Sequence, residues 1–363
     1  MKRKVRNVGL YFLLLIWAGL TALAWVKPAD TLSVAERRPL AQLPEISAEN
    51  VLSGQYMTAF EDYATDQFPG RDLFRKLKAL YHYNVARRLD NNSIYIEDGY
   101  AAQLEYPLNN KAVDHALERL QWVTEKYLAD CKVYCAVIPD KGYYLAQTNG
   151  YPAMDYEALF QKVKTSLPNA THITLTDCLS IEDYYRTDTH WRQEKLLPAA
   201  TRLCETMGVS APKDLTQTKL DVDFYGVYYG QAALPMKPDD MYIMESDSLK
   251  KCQVLNYETG KYAPVYDLEK LSGKDPYEVY LSGPRSLLRI ENPDAKTDKE
   301  LIVFRDSFGS SMVPLLVQDY AAVTLVDIRY INSWQLEFYV DFADQDVLFL
   351  YSALVLNNGT TLK

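Results

Sequence analysis

The chain has 363 residues, 48% hydrophobic and 24% charged, which suits one large or two ordinary globular domains and excludes disorder over most of the length. With 15 glycines and 17 prolines it is not a fibrous or low-complexity chain. A net charge of −9 excludes a general nucleic-acid binder, which needs a basic face.

The N-terminal end breaks this acidic balance, because Lys2, Arg3, Lys4 and Arg6 come with no acid among them. Val8–Val26 then passes without a charge, and as a helix it would span about 28 Å, close to the hydrocarbon thickness of a bilayer. Residues 1–26 therefore predict a cytoplasmic basic end followed by a single transmembrane anchor, with everything after Lys27 outside. Ala22-Leu23-Ala24 resembles a small-x-small cleavage site and leaves open a signal peptide and a secreted product. Both readings export the rest of the chain.

Residues 27–50 hold three prolines and no sustained period, as an extended stalk would. Residues 51–363 are expected to form one catalytic domain. Within it, Tyr56, Phe60 and Tyr63, then Leu73, Leu77, Leu80 and Tyr81, recur at helical steps interrupted by Phe68-Pro69-Gly70. Residues 111–129 predict a helix with Val113, Leu117, Leu120, Val123 and Tyr127 on one face. Strands are expected at 133–138, 172–175, 301–304, 322–326 and 347–351, and helices at 156–167, 192–207 and 312–317. Pro198 either kinks the helix that contains it or starts a new one. Residues 210–290 read as loops and short strands. Short apolar strands alternating with amphipathic helices imply a mainly parallel sheet covered on both faces.

Five cysteines, Cys131, Cys135, Cys178, Cys204 and Cys252, leave at least one thiol unpaired. Cys135 enters an apolar run as a buried thiol would, and a local bridge to Cys131 stays open. With four histidines and no CxxC pair, no metal site and no cofactor is expected.

Two segments carry chemistry. In Thr187-Asp188-Thr189-His190-Trp191, an extended backbone would project Asp188 and His190 to one side, so that the carboxylate can hold one imidazole nitrogen. Trp191 would back the histidine or wall a pocket. Alternatively Asp188 caps the next helix and His190 is a surface residue. In residues 301–311 an apolar strand ends at Arg305-Asp306, followed by Ser307, Phe308 and Gly309 and then a helix. A serine there stands at a strand's carboxyl end, where backbone N–H groups can hold an oxyanion, and Gly309 would admit the substrate closely. The bland reading is an ordinary turn capped by Ser307 or Ser310. Arg305 distinguishes the motif from the GxSxG elbow.

The pair DTHW (188–191) and RDSFG (305–309), more than a hundred residues apart, resembles the DHHW proteins of Gram-positive bacteria, in the AlgX/AlgJ-like branch of the SGNH-hydrolase superfamily. Residues 49–80, 136–146, 223–230, 325–332 and 346–358 are also similar to that family. The resemblance implies a flavodoxin-like three-layer α/β/α domain, with Ser307 as nucleophile, His190 as base and Asp188 as its orienter. It implies a serine O-acyltransferase or esterase acting on a cell-surface or secreted polysaccharide, its acetyl donor supplied by a multi-spanning membrane acyltransferase. Thr189 stands where the family's motif has its first histidine, and Arg305 where it usually has a glycine. No carbohydrate-binding module is expected after Asn358. Arg305, Gly309, Tyr228 and Trp191 are the substrate or oxyanion candidates. The runner-up is a non-catalytic polysaccharide-binding or assembly scaffold, motivated by Arg305 and by the Tyr-rich loop holding Tyr225, Tyr228 and Tyr229.

Overall fold

A computed structural model describes residues 2–33 and 35–363; the side chains of residues 2–7, and so the basic groups of Lys2, Arg3, Lys4 and Arg6, lie outside the described residues. The chain divides into two compact units, one of residues 1–91 with 230–235 and the other of residues 92–229 with 236–363.

The first unit begins with α1 (Lys2–Val26), whose Val8–Val26 stretch is long and apolar enough to cross a membrane. A short hairpin of β1 (Leu32–Ser33) and β2 (Arg38–Pro39) follows, then α2 (Ala48–Leu52), α3 (Gln55–Asp66) and α4 (Arg71–Asn84). Gly54 and Gly70 precede α3 and α4 at φ 80° and 71°, left-handed turns that favour glycine. Ion pairs hold these elements. Arg38 grips Asp66 bidentately at 2.7 and 2.8 Å and holds its carboxyl down at about 2. Glu36 takes Arg71, and Arg75 at 3.1 Å.

The second unit opens with the hairpin β3 (Ile94–Glu97) and β4 (Tyr100–Gln103), joined by Asp98-Gly99, both at positive φ. It continues with α5 (Asn110–Tyr127), β5 (Lys132–Ile138), α6 (Lys141–Leu145), α7 (Tyr156–Ser166), β6 (Thr171–His172) and α8 (Leu197–Met207). Pro198 sits in the first turn of α8, where its missing N–H is harmless, so a new helix starts there. Next come β7 (Thr216–Lys219), α9 (Val227–Ala232, its last three residues counted with the first unit), β8 (Tyr242–Glu245), α10 (Asp247–Lys251), β9 (Gln253–Asn256), β10 (Lys261–Pro264) and β11 (Leu287–Glu291). Last are β12 (Glu300–Arg305), α11 (Gly309–Met312), β13 (Ala322–Val326), β14 (Asp346–Ser352) and α12 (Ala353–Asn357).

Eight strands form the central sheet in the order β10-β9-β11-β13-β12-β14-β5-β6. The pairs from β13 to β6 are parallel, and β11, β9 and β10 extend that edge antiparallel. Alternation gives the sheet two apolar faces. Leu301, Val303, Leu348 and Leu350 pack with α8 residues on one, while Ile302, Phe304, Val347 and Phe349 pack with α5 and α7 residues on the other. The result is the expected three-layer α/β/α domain, and each such fully buried side chain contributes roughly 1.5–3 kcal/mol. After β12 the chain turns to the α8 face through Met312; after β14 it turns to the α5 face through Leu356. Neighbouring strands that send their connections to opposite faces leave a crevice at their carboxyl ends, where α/β folds place ligands. All five cysteines are free thiols, and burial pushes Cys135 and Cys204 up to about 12.

Candidate active site

Ser307 lies two residues beyond β12, at that crevice. The turn is built around Asp306, which is fully buried. One Asp306 carboxylate oxygen accepts the Phe308 amide at 2.9 Å, and the other accepts the Ser352 amide at the end of β14 at 2.8 Å. The turn thereby buries Phe308 and leaves Ser307 partly exposed.

His190 is delivered by a closed loop. Tyr185 N–H donates to the His190 carbonyl at 3.0 Å, and Arg192 N–H to that of Asp183 at 2.7 Å. Asp239 shapes the loop's tip by accepting the Arg186 amide, the Thr187 amide and the Thr187 hydroxyl at 2.9, 2.8 and 2.6 Å. Trp191 then pins the loop to the serine turn, its indole N–H 3.0 Å from the Phe308 carbonyl and 2.9 Å from Ser311 Oγ. Gln193 adds a bond to the Ser311 carbonyl at 2.8 Å.

The loop brings together three of the expected residues. His190 Nε2 is 2.7 Å from Ser307 Oγ, and His190 Nδ1 is 2.6 Å from Asp188 Oδ1. The backbone is a bend, not the extended run expected. Asp188 Oδ1 also accepts the His190 amide at 3.1 Å, an Asx turn that folds the carboxylate back onto its own imidazole. Asp188 is fully buried, and its second oxygen takes the Val227 amide at 2.8 Å. That close approach explains Gly226, where an added Cβ would stand 2.2 Å from the Asp188 Cβ.

Two further side chains complete the surroundings. The Tyr277 ring lies parallel to the His190 ring, 3.9 Å between centroids and 10° between planes. Burial holds its phenol well above 10, so it stays neutral, and its face favours a cationic imidazole. Lys141, next to the end of β5, is buried with Nζ 2.9 Å from the Tyr185 carbonyl and 5.0 Å from the Tyr228 ring centroid. Burial lowers its pKa to about 7, against the opposing pull of Asp188, Asp239 and Asp140.

The four accessory candidates all lie inside the protein. Arg305 is fully buried, bonded to the Asp306 carbonyl and Ser310 Oγ at 3.3 and 3.2 Å, and so faces the interior. Gly309 makes room for that arginine: an added Cβ would be 2.8 Å from the Arg305 Cβ, and its amide is spent on the Asp306 carbonyl. Trp191 is fully buried as a tie. Tyr228 is buried with its hydroxyl 3.0 Å from Thr189 Oγ1, and of the loop's candidate sugar-binding tyrosines Tyr225 is the exposed one. Sequence reading missed Tyr277, Lys141, Asp239 and Asp306. Gly226 was the available signal, because paired glycines in 223–230 marked a loop near the site.

A family profile described as DHHW protein matches residues 176–326, a span holding Asp188, His190 and Ser307. Among solved structures, a DHHW family protein from Eubacterium siraeum is similar, with 20% identity, a TM-score of 0.61 and coverage of 75% of this chain and 95% of that one. Bacillus cereus PatB1 with a sulfonyl adduct is similar at 18% identity and a TM-score of 0.57, covering 74% of this chain and 97% of that one. A more remote likeness is to the O-acetyltransferase domain of Pseudomonas putida AlgJ, at 13% identity and a TM-score of 0.42, covering 73% of this chain and 92% of that one. No curated protein matches the sequence.

Proposed function

We propose that this DHHW-type chain is a membrane-anchored, extracytoplasmic serine O-acyltransferase or esterase. The observation that carries the reading is the unbroken Ser307–His190–Asp188 hydrogen-bond chain at the crevice of the sheet. His190 Nε2 takes the Ser307 hydroxyl proton as Oγ attacks the carbonyl of an acetyl donor. The tetrahedral intermediate collapses, its leaving group takes that proton from the imidazolium, and an acetyl-serine remains. A hydroxyl of the acceptor, or water, then gives its proton to His190 and attacks, and Ser307 is regenerated. Asp188 stays ionised, fixes the tautomer and offsets the imidazolium charge. The Tyr277 face adds to that stabilisation and keeps water off one side of the ring. We assign the acceptor as a cell-surface or secreted polysaccharide and the donor as a multi-spanning membrane acyltransferase, in keeping with the family resemblance. The apolar Val8–Val26 helix behind a basic end supports the anchor.

The scaffold alternative loses the support of Arg305 and Tyr228, which are both buried inside the protein, and keeps that of the exposed Tyr225. The reading is tested by turnover of an acetyl ester with and without an oligosaccharide acceptor. Ser307→Ala should abolish turnover and the acetyl-enzyme mass increment. Turnover that survives in Ser307→Ala would remove the assignment.

A further inference from the structure

The helix α4 is inside out. Its inward side carries Ala79, fully buried, and Arg75, which pairs with Glu36 at 3.1 Å and donates to the Gly230 carbonyl at 2.7 Å. Its outward side carries Leu73, Phe74, Leu77, Leu80 and Tyr81, continued by Val85, all between 38% and 66% exposed. These positions fall at three- and four-residue steps and so form one continuous apolar stripe. Lys76 borders the stripe on the Leu73–Leu80 side and Lys78 on the Phe74–Tyr81 side, both exposed. Arg87 and Arg88 follow, and residues 73–89 contain no acid in a chain of net charge −9.

We propose that this face of α4 lies on an anionic bilayer, with the stripe in the acyl–headgroup boundary and the four cations at the phosphates. An apolar stripe edged by lysines is the pattern of a helix lying in a membrane interface, because the ammonium groups reach the headgroups as the stripe sinks below them. A second copy of the chain is a poorer occupant. Pairing two such faces would set Lys76 and Lys78 against like charges with no acid on either stripe. An acidic lipid surface supplies both what the stripe and what its borders need. The α4 helix belongs to the same unit as the apolar α1, so the surface it needs is the one α1 would enter. The first unit would then be held to the membrane at two places, α1 and α4.

The test uses the full chain in vesicles of phosphatidylglycerol and phosphatidylcholine doped with a diazirine-tailed phosphatidylcholine. After irradiation, lipid adducts are mapped by mass spectrometry. Adducts are expected on peptides spanning 71–89 as well as 8–26. Those on 71–89 should drop severalfold in pure phosphatidylcholine, and likewise in Lys76→Glu/Lys78→Glu. Leu77→Asp, which alters an exposed position and leaves no core cavity, should remove them while 8–26 stays labelled. Adducts confined to 8–26, or labelling of 71–89 indifferent to lipid charge, would overturn the proposal. So would cross-links joining two copies through 71–89 in place of lipid adducts. None of these readouts depends on acyl transfer, so failure here and failure of the enzymatic reading are separable.

Discussion

The helices α4 and α5 show opposite uses of one periodicity. Both repeat apolar residues at three- and four-residue steps. In α5, Val113, Leu117, Leu120 and Val123 are buried against the sheet, at 2% exposure or less. In α4 the corresponding stripe faces outward, and arginines face inward to Glu36. The contrast extends to the units. The second unit is closed by two apolar layers on a sheet, while the ties holding α3 and α4 to the first unit's hairpin are ionic. Periodicity thus reports that a helix has two faces, and the partner decides which one is covered.

The largest effects should separate the units chemically. His190→Ala is expected to lower acetyl-ester turnover about as far as Ser307→Ala, by roughly 10⁴-fold or more, because such groups act as one device. Steady-state rates for both variants and the double variant check this, and additive losses would contradict a single device. Next comes the helix pair. Leu120→Ala in α5 should cost about 2–5 kcal/mol by cavity formation, and Leu77→Ala in α4 within about 0.5 kcal/mol. Urea midpoints measure both; equal losses would break the comparison. Gly226→Ala should push on Asp188 and lower kcat by about 100-fold with a small change in KM, since a displacement near 1 Å suffices for that loss.

The smallest effects separate the units by pH. Asp66 sits at about 2 when folded against 3.8 when free, so its contribution is present above 3.8 and is lost as pH falls through about 2. Asp66→Asn should remove that acid sensitivity. Lys141 sits at about 7 when folded against 10.5 when free. Between those values the unfolded chain binds the extra proton, so stability should rise with pH across the window, and the penalty is complete below about 7. Lys141→Met should flatten the rise. Urea titrations at pH 3, 7 and 9 read both slopes, and a Lys141→Met slope equal to that of the parent would contradict the assignment.

Much of the second unit was legible in the sequence. The expected strand at 322–326 coincides with β13, and those at 133–138, 301–304 and 347–351 fall within one or two residues of β5, β12 and β14. Apolar runs of that length, closed by polar turns, have few other folds available. The expected 312–317 helix is instead α11 followed by a 3₁₀ turn from Val313 to Asp319, because Pro314 denies the backbone a donor. The β9–β10–β11 extension was not legible as sheet, since its strands are short and lie among turn residues. Asp188 and His190 were readable as a pair because their spacing is local, whereas Ser307, 117 positions beyond His190, was joined to them by the family resemblance. Tyr277 was not: it reaches His190 from a 3₁₀ turn 87 positions further along the chain, and no local pattern encodes that contact. That Arg305 and Trp191 are fully buried was not legible, because burial is not visible in a motif.

The most direct measurement is intact mass and peptide mapping after treatment with phenylmethanesulfonyl fluoride, which sulfonylates an activated serine hydroxyl. Ser307 Oγ would displace fluoride as its proton passes to His190. The account predicts one sulfonyl adduct on Ser307, absent from Ser307→Ala and from His190→Ala. No adduct on the parent protein, or one that maps elsewhere and persists in Ser307→Ala, would contradict it.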